Sequence, residues 1–545
     1  MADEVATLVS TNPEQNSTTA SANGAVILNF DKKVRIGSGA AELNGEKMTP
    51  VISGKTAIFN YRGLKYATSY TFQMPEGVLL SRSGKKVAAA TITFTTMERR
   101  QPQPRLYDAV VAQDGSGDYT TVQAAVDAAP EGRGTPWLIF LKNGLYKEHV
   151  SIPASKPYLH FIGQDRDQTV ILDDKLSGGT NNVGIDGGCT VLVKANNIFF
   201  ENLTLENQYG HEKQAGPQAL ALNTSGDRIA LNNVALLSYQ DTWITTPTSN
   251  NRHYIKNSLI EGAVDFIYNS GNVYFDGDTL EINRPSGGYI VAPSHLADVK
   301  WGYVFQNNII RAHKGIKVTD VWLGRPWHNQ PKTVFINLQT FVNLPAKGWY
   351  NTMGGLPALW AEYNTVDKDG NLIDLSMRES YYYVRDDNGK IIDEVFNAKN
   401  TLTAEEAAQY TIRNVMGGDD NWQPDLLCEA CDAPVVEAHA GRLQWEAVPY
   451  AICYVVTCNG KVVDFVTDTS CTVPDGTCYV QAVNEYGGLS AKGYAKTDTG
   501  IECIHDTGHV TAPQIYNLQG HCLPSFSKGL NIVRQCDGRY LKVLR

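Results

Sequence analysis

A chain of 545 residues is long enough for several domains, and its 48 glycines, 27 tyrosines and only 19% charged residues favour a turn-rich, all-β protein over a helical bundle. The formal net charge of −10 argues against general binding to nucleic acids or membrane surfaces, because both favour a basic partner. No apolar run is long enough to span a bilayer, and no charged-then-apolar leader opens the chain, so we expect neither a transmembrane segment nor a signal peptide here.

The first part of the chain, residues 1–100, alternates apolar and polar residues with period two. Turn residues separate four such segments: Ala25–Phe30, Ala57–Tyr61, Tyr70–Met74 and Ala90–Phe94. The pattern predicts a small β-sandwich, and the stretch resembles the bacterial Ig-like domains found beside secreted enzymes. Residues 97–104, with two arginines and Gln-Pro repeats, are typical of a linker.

Residues 101–428 consist of short apolar segments, each followed by a polar turn that contains asparagine. The recurring asparagines include Asn202, Asn233, Asn257, Asn307 and Asn337. Their uneven intervals predict an irregular solenoid, a parallel β-helix in which asparagines stack at the turns. Residues 121–129 carry apolar residues at helical spacing, which predicts a helix that caps the open end of the solenoid.

The C-terminal part returns to sandwich patterning. Residues 432–500 resemble a fibronectin type III module, and residues 501–545 resemble a short β-rich terminal segment of secreted bacterial proteins. Nine of the ten cysteines lie between Cys428 and Cys536. For the pair Cys428 and Cys431 we favour structural thiols or a disulfide over half a zinc site, because no second pair has matching spacing.

Three motifs in the central region carry charged groups among apolar and aromatic neighbours, where an isolated charge is costly. They are Gln240-Asp241-Thr242-Trp243, Asp265-Phe266-Ile267-Tyr268 and Leu323-Gly324-Arg325-Pro326-Trp327. Two carboxylates and one guanidinium kept in such surroundings indicate paired-carboxylate chemistry on a sugar ester. A lone aspartate would instead be interpreted as a turn residue.

In these motifs, and in Asp114–Gln123, Gly144–Glu148, Gln218–Leu222 and Glu362–Asn364, the region from Val111 to Trp422 resembles the pectin methylesterases. The order and spacing of the motifs together make this resemblance specific. It implies an all-β protein, with a right-handed parallel β-helix catalytic domain flanked by small β-sandwich modules.

The resemblance also implies a role for each matching residue. Asp265 corresponds to the nucleophile, Asp241 to the general acid/base, and Gln218 and Gln240 to the oxyanion donors. Arg325 would hold the nucleophile and lower its pKa. A second aspartate beside that negative charge would keep its proton for the leaving methanol. This scheme requires no metal and no cofactor, and His211, His253 and His295 are too scattered along the chain to be proposed as metal ligands.

Four residues are predicted to contact the sugar: Trp327, Tyr268, Trp243 and Met353. Trp243-Ile244 and Tyr268-Asn269 depart from the family pattern of Leu-Tyr and Phe-Gly, and we expect them to border the cleft. Trp322 is as compatible with the core as with the cleft, and for Met353 core filling is at least as compatible as the groove.

The function implied is a pectin methylesterase that hydrolyses methyl esters of galacturonic acid units in homogalacturonan or its oligosaccharides and releases methanol. We expect a monomer that works outside the cytoplasm: in the periplasm, on the cell surface or secreted. The alternatives are a calcium-dependent polyuronate lyase, a non-catalytic carbohydrate-binding protein, and an esterase with another acyl substrate.

Overall fold

The computed structural model describes residues 5–396, 399–439 and 441–496, together with four strands between residues 514 and 544. It divides after Ala495 into two compact units. No helix in the described part of the chain is long and apolar enough to cross a membrane.

The N-terminal module is built from ten short strands. Strands β1–β10 are Leu8–Asn12, Gly24–Phe30, Val34–Ile36, Ala41–Leu43, Glu46–Met48, Val51–Ser53, Thr56–Tyr61, Ser69–Met74, Leu79–Ser81 and Ala90–Thr95. They form two antiparallel four-stranded sheets, in the orders β1-β2-β7-β6 and β10-β8-β4-β5, and the separate pair β3-β9. Alternate residues such as Val26, Leu28 and Phe30 are fully buried between the sheets, which confirms the predicted sandwich.

The central region is a parallel β-helix of three sheets, which confirms the predicted fold class. Strands β11–β36 are Ala109–Val111, Trp137–Leu141, Gly144–Lys147, Val150–Ile152, Leu159–Gly163, Thr169–Asp173, Cys189–Val193, Ile198–Glu201, Thr204–Asn207, Leu220–Thr224, Ile229–Asn232, Ala235–Leu237, Trp243–Ile244, Arg252–Lys256, Leu259–Gly262, Val264–Asn269, Asn272–Asp276, Thr279–Ile282, Tyr289–Pro293, Tyr303–Gln306, Ile309–Ala312, Trp322–Gly324, Lys332–Ile336, Gln339–Thr340, Thr352–Met353 and Leu359–Tyr363. Apart from Thr352–Met353 (β35), these strands form sheets of ten, eight and seven strands, and a complete turn of the chain adds one strand to each sheet.

Stacked side chains hold successive turns of the β-helix in register. Inside, the rings of Phe275, Phe305 and Phe335 stack with centroid distances of 4.0 and 4.3 Å. At the corners the asparagine ladder is confirmed: Asn233 Nδ2 donates to Asn202 Oδ1 over 2.8 Å, and the amides of residues 307, 337 and 364 continue the pattern. These asparagines have positive φ, which asparagine tolerates better than most residues.

The helices of the structure are short. They are α1 Val122–Ala128, α2 Gly184–Gly187, α3 Gln208–Lys213, α4 Ala404–Ala407, α5 Ile412–Met416 and a 3₁₀ turn, Pro424–Cys428. The predicted helix is confirmed as α1: Thr121 Oγ1 caps it by accepting from Ala124 N over 3.3 Å. Its residues Val122, Ala125 and Val126 are buried in the same core as the first turn of the β-helix, so α1 covers that end.

A hairpin follows the β-helix and precedes the C-terminal module. Its strands β37 and β38 are Tyr381–Arg385 and Ile391–Phe396, and β37 also pairs with Thr352–Met353. The C-terminal module has strands β39–β45, Val436–His439, Arg442–Trp445, Cys453–Cys458, Lys461–Val466, Ser470–Thr472, Cys478–Val483 and Gly493–Lys496. One disulfide joins Cys458 to Cys478, which pair directly across two of these strands.

Cys428 and Cys431 are free thiols, so the disulfide alternative for this pair is wrong. In the second unit, strands β46–β49 are Gln514–Tyr516, Cys522–Leu523, Leu530–Arg534 and Tyr540–Leu544, in the antiparallel order β47-β46-β48-β49. The rest of the segment predicted at 501–545 lies outside the described residues.

The segment 97–104 does more than connect domains, because the side chain of Arg99 is buried between the N-terminal and C-terminal modules. Its guanidinium donates to both carboxylate oxygens of Glu485, over 3.0 and 2.6 Å, and its side chain is 5% exposed. It also lies against the rings of Tyr66 and Tyr450, 5.3 and 4.6 Å from their centroids. Charge and burial therefore tie the linker to the N-terminal and C-terminal modules.

Candidate active site

Two aspartates stand next to each other on successive turns of the seven-stranded sheet. Gln240 forms a parallel β-bridge with Val264, and Trp243 pairs with Ile267 in the adjacent parallel strand. Asp241 and Asp265 therefore occupy the same register, on strands that lie about 4.8 Å apart. The expectation that these two residues are brought together is confirmed.

A bulge sets the orientation of Asp265. Val264 pairs with Tyr289 and Ile267 pairs with Val291, so two residues, Asp265 and Phe266, oppose the single Ile290. Asp265 has a φ of 50° and Asp241 a φ of 61°, both in the left-handed region that side chains other than glycine rarely adopt. Bulges and left-handed residues that interrupt a regular ladder are frequent beside active sites.

Arg325 clamps Asp265. Its Nε donates to Oδ1 over 2.8 Å, and its Nη2 donates to Oδ2. Arg325 follows strand β32, and its own backbone N–H donates to Val291 O over 3.0 Å. The guanidinium of Arg325 lies 4.2 Å from the centroid of the Tyr289 ring, and this ring supports one face of the guanidinium.

The two aspartates differ in their electrostatic surroundings. Burial raises the pKa of Asp265, while the hydrogen bonds and charge of Arg325 oppose that rise. Burial raises the pKa of Asp241 well above its usual range; the negative charge of Asp265 adds to this, whereas Arg325 and the Tyr268 hydroxyl oppose it. The arginine acts on Asp265 in the expected direction, but burial outweighs it. Of the pair, Asp241 holds the proton more strongly.

Gln240 immediately precedes Asp241, and Gln218 lies just before strand β20, which pairs with the strand of Trp243. Neither side-chain amide makes a hydrogen bond to any of the described residues, so both remain available as donors. Two glycines pack directly against these amides, where any larger residue would clash. A Cβ at Gly178 would lie 1.9 Å from Gln218 Oε1, and one at Gly216 would lie 2.6 Å from Gln240 Oε1.

The prediction that Trp243 contacts the sugar is wrong. Its ring is fully buried inside the β-helix, where Nε1 donates to Thr224 Oγ1 over 3.0 Å. The left-handed turn at Asp241 changes the alternation of the strand, so the residue two positions later points into the core and Ile244 points outward, toward Leu220 and Tyr268. Trp243 therefore supports the site from beneath.

The remaining predicted sugar contacts lie on the outer side of the sheet. Tyr268 is 5% exposed, bonds to the Asp241 carboxyl and packs edge-on against Trp327, with ring centroids 5.5 Å apart. Trp327 is half-buried. Met353 is 36% exposed and precedes Gly354, whose N–H donates to Pro326 O over 2.9 Å. Tyr268 thus contacts the acid/base candidate, while Trp327 and Met353 keep surface for a ligand.

Tyr289 is the site residue that the sequence interpretation missed. It lies in strand β29 beneath the guanidinium of Arg325. The register of the parallel strands carries the signal, because Tyr289 pairs with Val264, the neighbour of Asp265.

Residues 108–418, more than half of the chain, match the family profile described as Pectinesterase. The chain belongs to the pectinesterase family. Residues 3–96 match a second profile, described as a bacterial Ig-like domain, in agreement with the N-terminal sandwich.

Relatives of this pectinesterase-family chain include plant proteins. The chain is 33% identical over 257 residues to probable pectinesterase 56 of Arabidopsis thaliana, which covers 44% of this chain and 84% of the relative. It is 29% identical over 357 residues to probable pectinesterase/pectinesterase inhibitor 21 of the same plant, which covers 63% of this chain. The chain spans about half, 48%, of that longer relative.

Solved structures similar to the chain include two pectin methylesterases. The enzyme from carrot has 25% sequence identity and a TM-score of 0.48, covering 59% of this chain and 96% of the carrot chain. PemA from Erwinia chrysanthemi has 25% identity and a TM-score of 0.47, covering 59% of this chain and 99% of PemA.

Proposed function

We propose that this chain is a carboxylic ester hydrolase that cleaves methyl esters of galacturonic acid units in homogalacturonan or its oligosaccharides and releases methanol. The observation that carries the proposal is the pairing of Asp241 with Asp265 at one register, with the bidentate contact of Arg325 on Asp265. One carboxylate is held for attack, and the other keeps a proton for the leaving group.

In the first step, Asp265 attacks the ester carbonyl carbon as the carboxylate. The carbon–methoxy bond breaks, the proton of Asp241 passes to the methoxy oxygen, and methanol leaves. An acyl-enzyme anhydride on Asp265 remains. The free amides of Gln218 and Gln240 would donate to the oxyanion, a contribution worth about 10²–10³ in turnover for one donor.

In the second step, water attacks the acyl carbon and Asp241, now a carboxylate, takes one of its protons. The bond between the acyl carbon and Asp265 breaks, which restores the Asp265 carboxylate and leaves the free uronic acid. Asp241 is again protonated, so both aspartates return to their starting states. The side chain of Asp241 thus carries out both proton transfers.

Trp327 and Met353 are the side chains proposed to contact the sugar, because both keep exposed surface at the edge of the site. Flat aromatic rings suit the apolar faces of sugar rings. A polymeric plant substrate would place the protein outside the cytoplasm, and we propose that it acts there as a monomer.

The experiment is a product assay on methylated homogalacturonan with a chelator present. The proposal expects methanol and free carboxylate in equal amounts, with no unsaturated product. A calcium-dependent unsaturated product would identify a lyase instead. Binding to pectin without methanol release from any methylated galacturonide would identify a non-catalytic carbohydrate-binding protein.

A further inference from the structure

Outside the aspartate pair, three turns of the β-helix bring two glutamates and a histidine together. Glu261 pairs with Glu281 in adjacent parallel strands, and His313 follows the next strand of the same sheet. One ligand atom from each of these residues lies within 4.8 Å of the other two. We name these three residues the Glu261–Glu281–His313 cluster.

The two carboxylates of the cluster are buried at equivalent positions on neighbouring strands. Glu261 is 1% exposed and Glu281 is 7% exposed. Like charges placed directly opposite each other in a sheet destabilise it, and buried carboxylates need a compensating positive charge. A cation held between the two carboxylates would supply such a positive charge.

His313 supplies a nitrogen ligand at that place. Its Nδ1 lies 2.9 Å from Glu281 Oε1 and 3.0 Å from Glu261 Oε2. Tetrahedral zinc with bonds of about 2.0–2.2 Å separates its ligand atoms by roughly 3.3 Å. His313 Nδ1 and each of these two oxygens need to move apart by only a few tenths of an ångström to accept the ion.

The oxygen atoms that do not face His313 are already held by other groups. Glu261 Oε1 bonds His211 Nδ1 over 2.7 Å and Asn283 Nδ2 over 2.8 Å, and Glu281 Oε2 bonds Arg311 Nε over 2.6 Å. Asn283 is 1% exposed, and its Oδ1 has no partner among the described residues. Such partners orient the ligands of protein metal sites.

We propose that the Glu261–Glu281–His313 cluster is a Zn²⁺ site, with Glu261 Oε2, Glu281 Oε1 and His313 Nδ1 as ligands and water in the fourth position. Imidazole and carboxylate ligands suit zinc. His313 is 26% exposed at its side chain, so the ion can enter from the surface. The site is separate from the two aspartates and takes no part in the proposed hydrolysis.

The ion would join elements that lead to the candidate active site. Glu261 precedes Asp265 by four residues, and its carbonyl oxygen accepts from Thr242 Oγ1 over 2.7 Å, next to Asp241. His211, which bonds Glu261, lies in helix α3, and the chain continues from there to Gln218. Zinc bound here would stabilise the corner of the β-helix that carries these residues.

The test is calorimetric titration of the full chain with Zn²⁺ after chelator treatment and alkylation of its thiols. We expect one ion per chain, and loss of that binding in Glu281→Gln and His313→Ala. His211→Ala removes an orienting partner and should weaken binding about 10–100-fold. His439→Ala is the matched control, because His439 pairs with Glu437 on the surface, away from the cluster.

No saturable Zn²⁺ binding by the wild type, or binding unchanged in Glu281→Gln, would overturn the proposal. If circular dichroism shows that the variants are unfolded, X-ray absorption of the zinc-loaded wild type decides: nitrogen and oxygen ligands near about 2.0–2.2 Å support the site, and sulfur near about 2.3 Å contradicts it. Both readouts are made without substrate, so they are independent of methanol release.

Discussion

Asp241 and Asp265 lie side by side on successive turns of the β-helix, both in left-handed backbone, and the guanidinium of Arg325 forms its ion pair with Asp265. The same fold element thus gives two identical side chains different environments. Because burial and the neighbouring charge act together on Asp241, its pKa is raised further than that of Asp265, whose rise Arg325 opposes, so Asp241 holds its proton to a higher pH. This difference underlies the proposed division of roles.

The fall in activity at alkaline pH should change when Tyr268 is substituted. The Tyr268 hydroxyl favours the ionised form of Asp241 and so lowers its pKa, against the larger effect of burial. Tyr268→Phe should therefore move the alkaline fall of kcat/KM for methanol release to higher pH. Tyr479→Phe, in the C-terminal module, serves as the control and should leave the profile unchanged. A limb that stays in place or moves to lower pH would contradict the assignment.

Asp241 should make the protein less stable as the pH rises. An unfolded aspartate loses its proton near a pKa of about 3.9, whereas the folded state holds the proton to a higher pH. The free energy of unfolding therefore falls between these two pKa values, with the advantage of the folded state lost as pH rises through the folded pKa. An asparagine side chain at this position would have no proton to lose.

We therefore expect Asp241→Asn to be more stable than the wild type at pH 8 and similar to it at pH 3, measured by thermal unfolding across pH. Each unit of raised pKa corresponds to about 1.4 kcal/mol. Asp369→Asn, at an exposed position, is the control. A wild-type advantage at pH 8 would show that the Asp241 carboxylate is not costly to the fold.

Arg325→Lys should impair catalysis although it keeps the positive charge. Lysine cannot reproduce the two parallel hydrogen bonds to Asp265 or the planar contact with the ring of Tyr289. Misplacing a reacting group in this way costs about 10²-fold in rate. We expect kcat for methanol release to fall by that order with a smaller change in KM, measured beside Lys332→Arg as a control. A loss confined to KM would assign Arg325 to substrate binding.

Arg99→Ala should loosen the junction between modules. The substitution removes the two hydrogen bonds to Glu485 and a cation that lies against two tyrosine rings. Breaking a pair of this kind costs about 3 kcal/mol, so we expect a lower unfolding temperature and faster proteolysis within residues 97–104. Arg100→Ala is the matched control, because the neighbouring Arg100 is exposed. Equal unfolding temperatures and proteolysis rates in the two variants would show that the contacts of Arg99 do not stabilise the junction.

The sequence predicts the β-helix well because its signals are local. Turn asparagines at fixed places in successive segments identify the corners, and the ladder of Asn202 and Asn233 shows why asparagine recurs: it tolerates positive φ and bonds its counterpart on the next turn. The three charged motifs likewise place Asp241, Asp265 and Arg325 in one site.

The sequence does not predict which way a side chain points or which distant strands pair with each other. The sequence places Trp243 in the cleft because nothing in its motif reveals the left-handed turn that sends the ring inward. Glu261, Glu281 and His313 are widely separated in the chain, and only the pairing of three consecutive strands brings them together. Arg99 gives no signal in a segment that otherwise has the composition of a linker.

Methanol release by Asp265→Asn, measured together with pectin binding, tests directly whether Asp265 is the nucleophile. Asparagine keeps the shape of the side chain but cannot act as the nucleophile, so turnover should fall by at least about 10³-fold while pectin affinity changes little. Asp369→Asn should retain full turnover. Methanol release by Asp265→Asn at a rate close to that of the wild type would show that Asp265 is not the nucleophile.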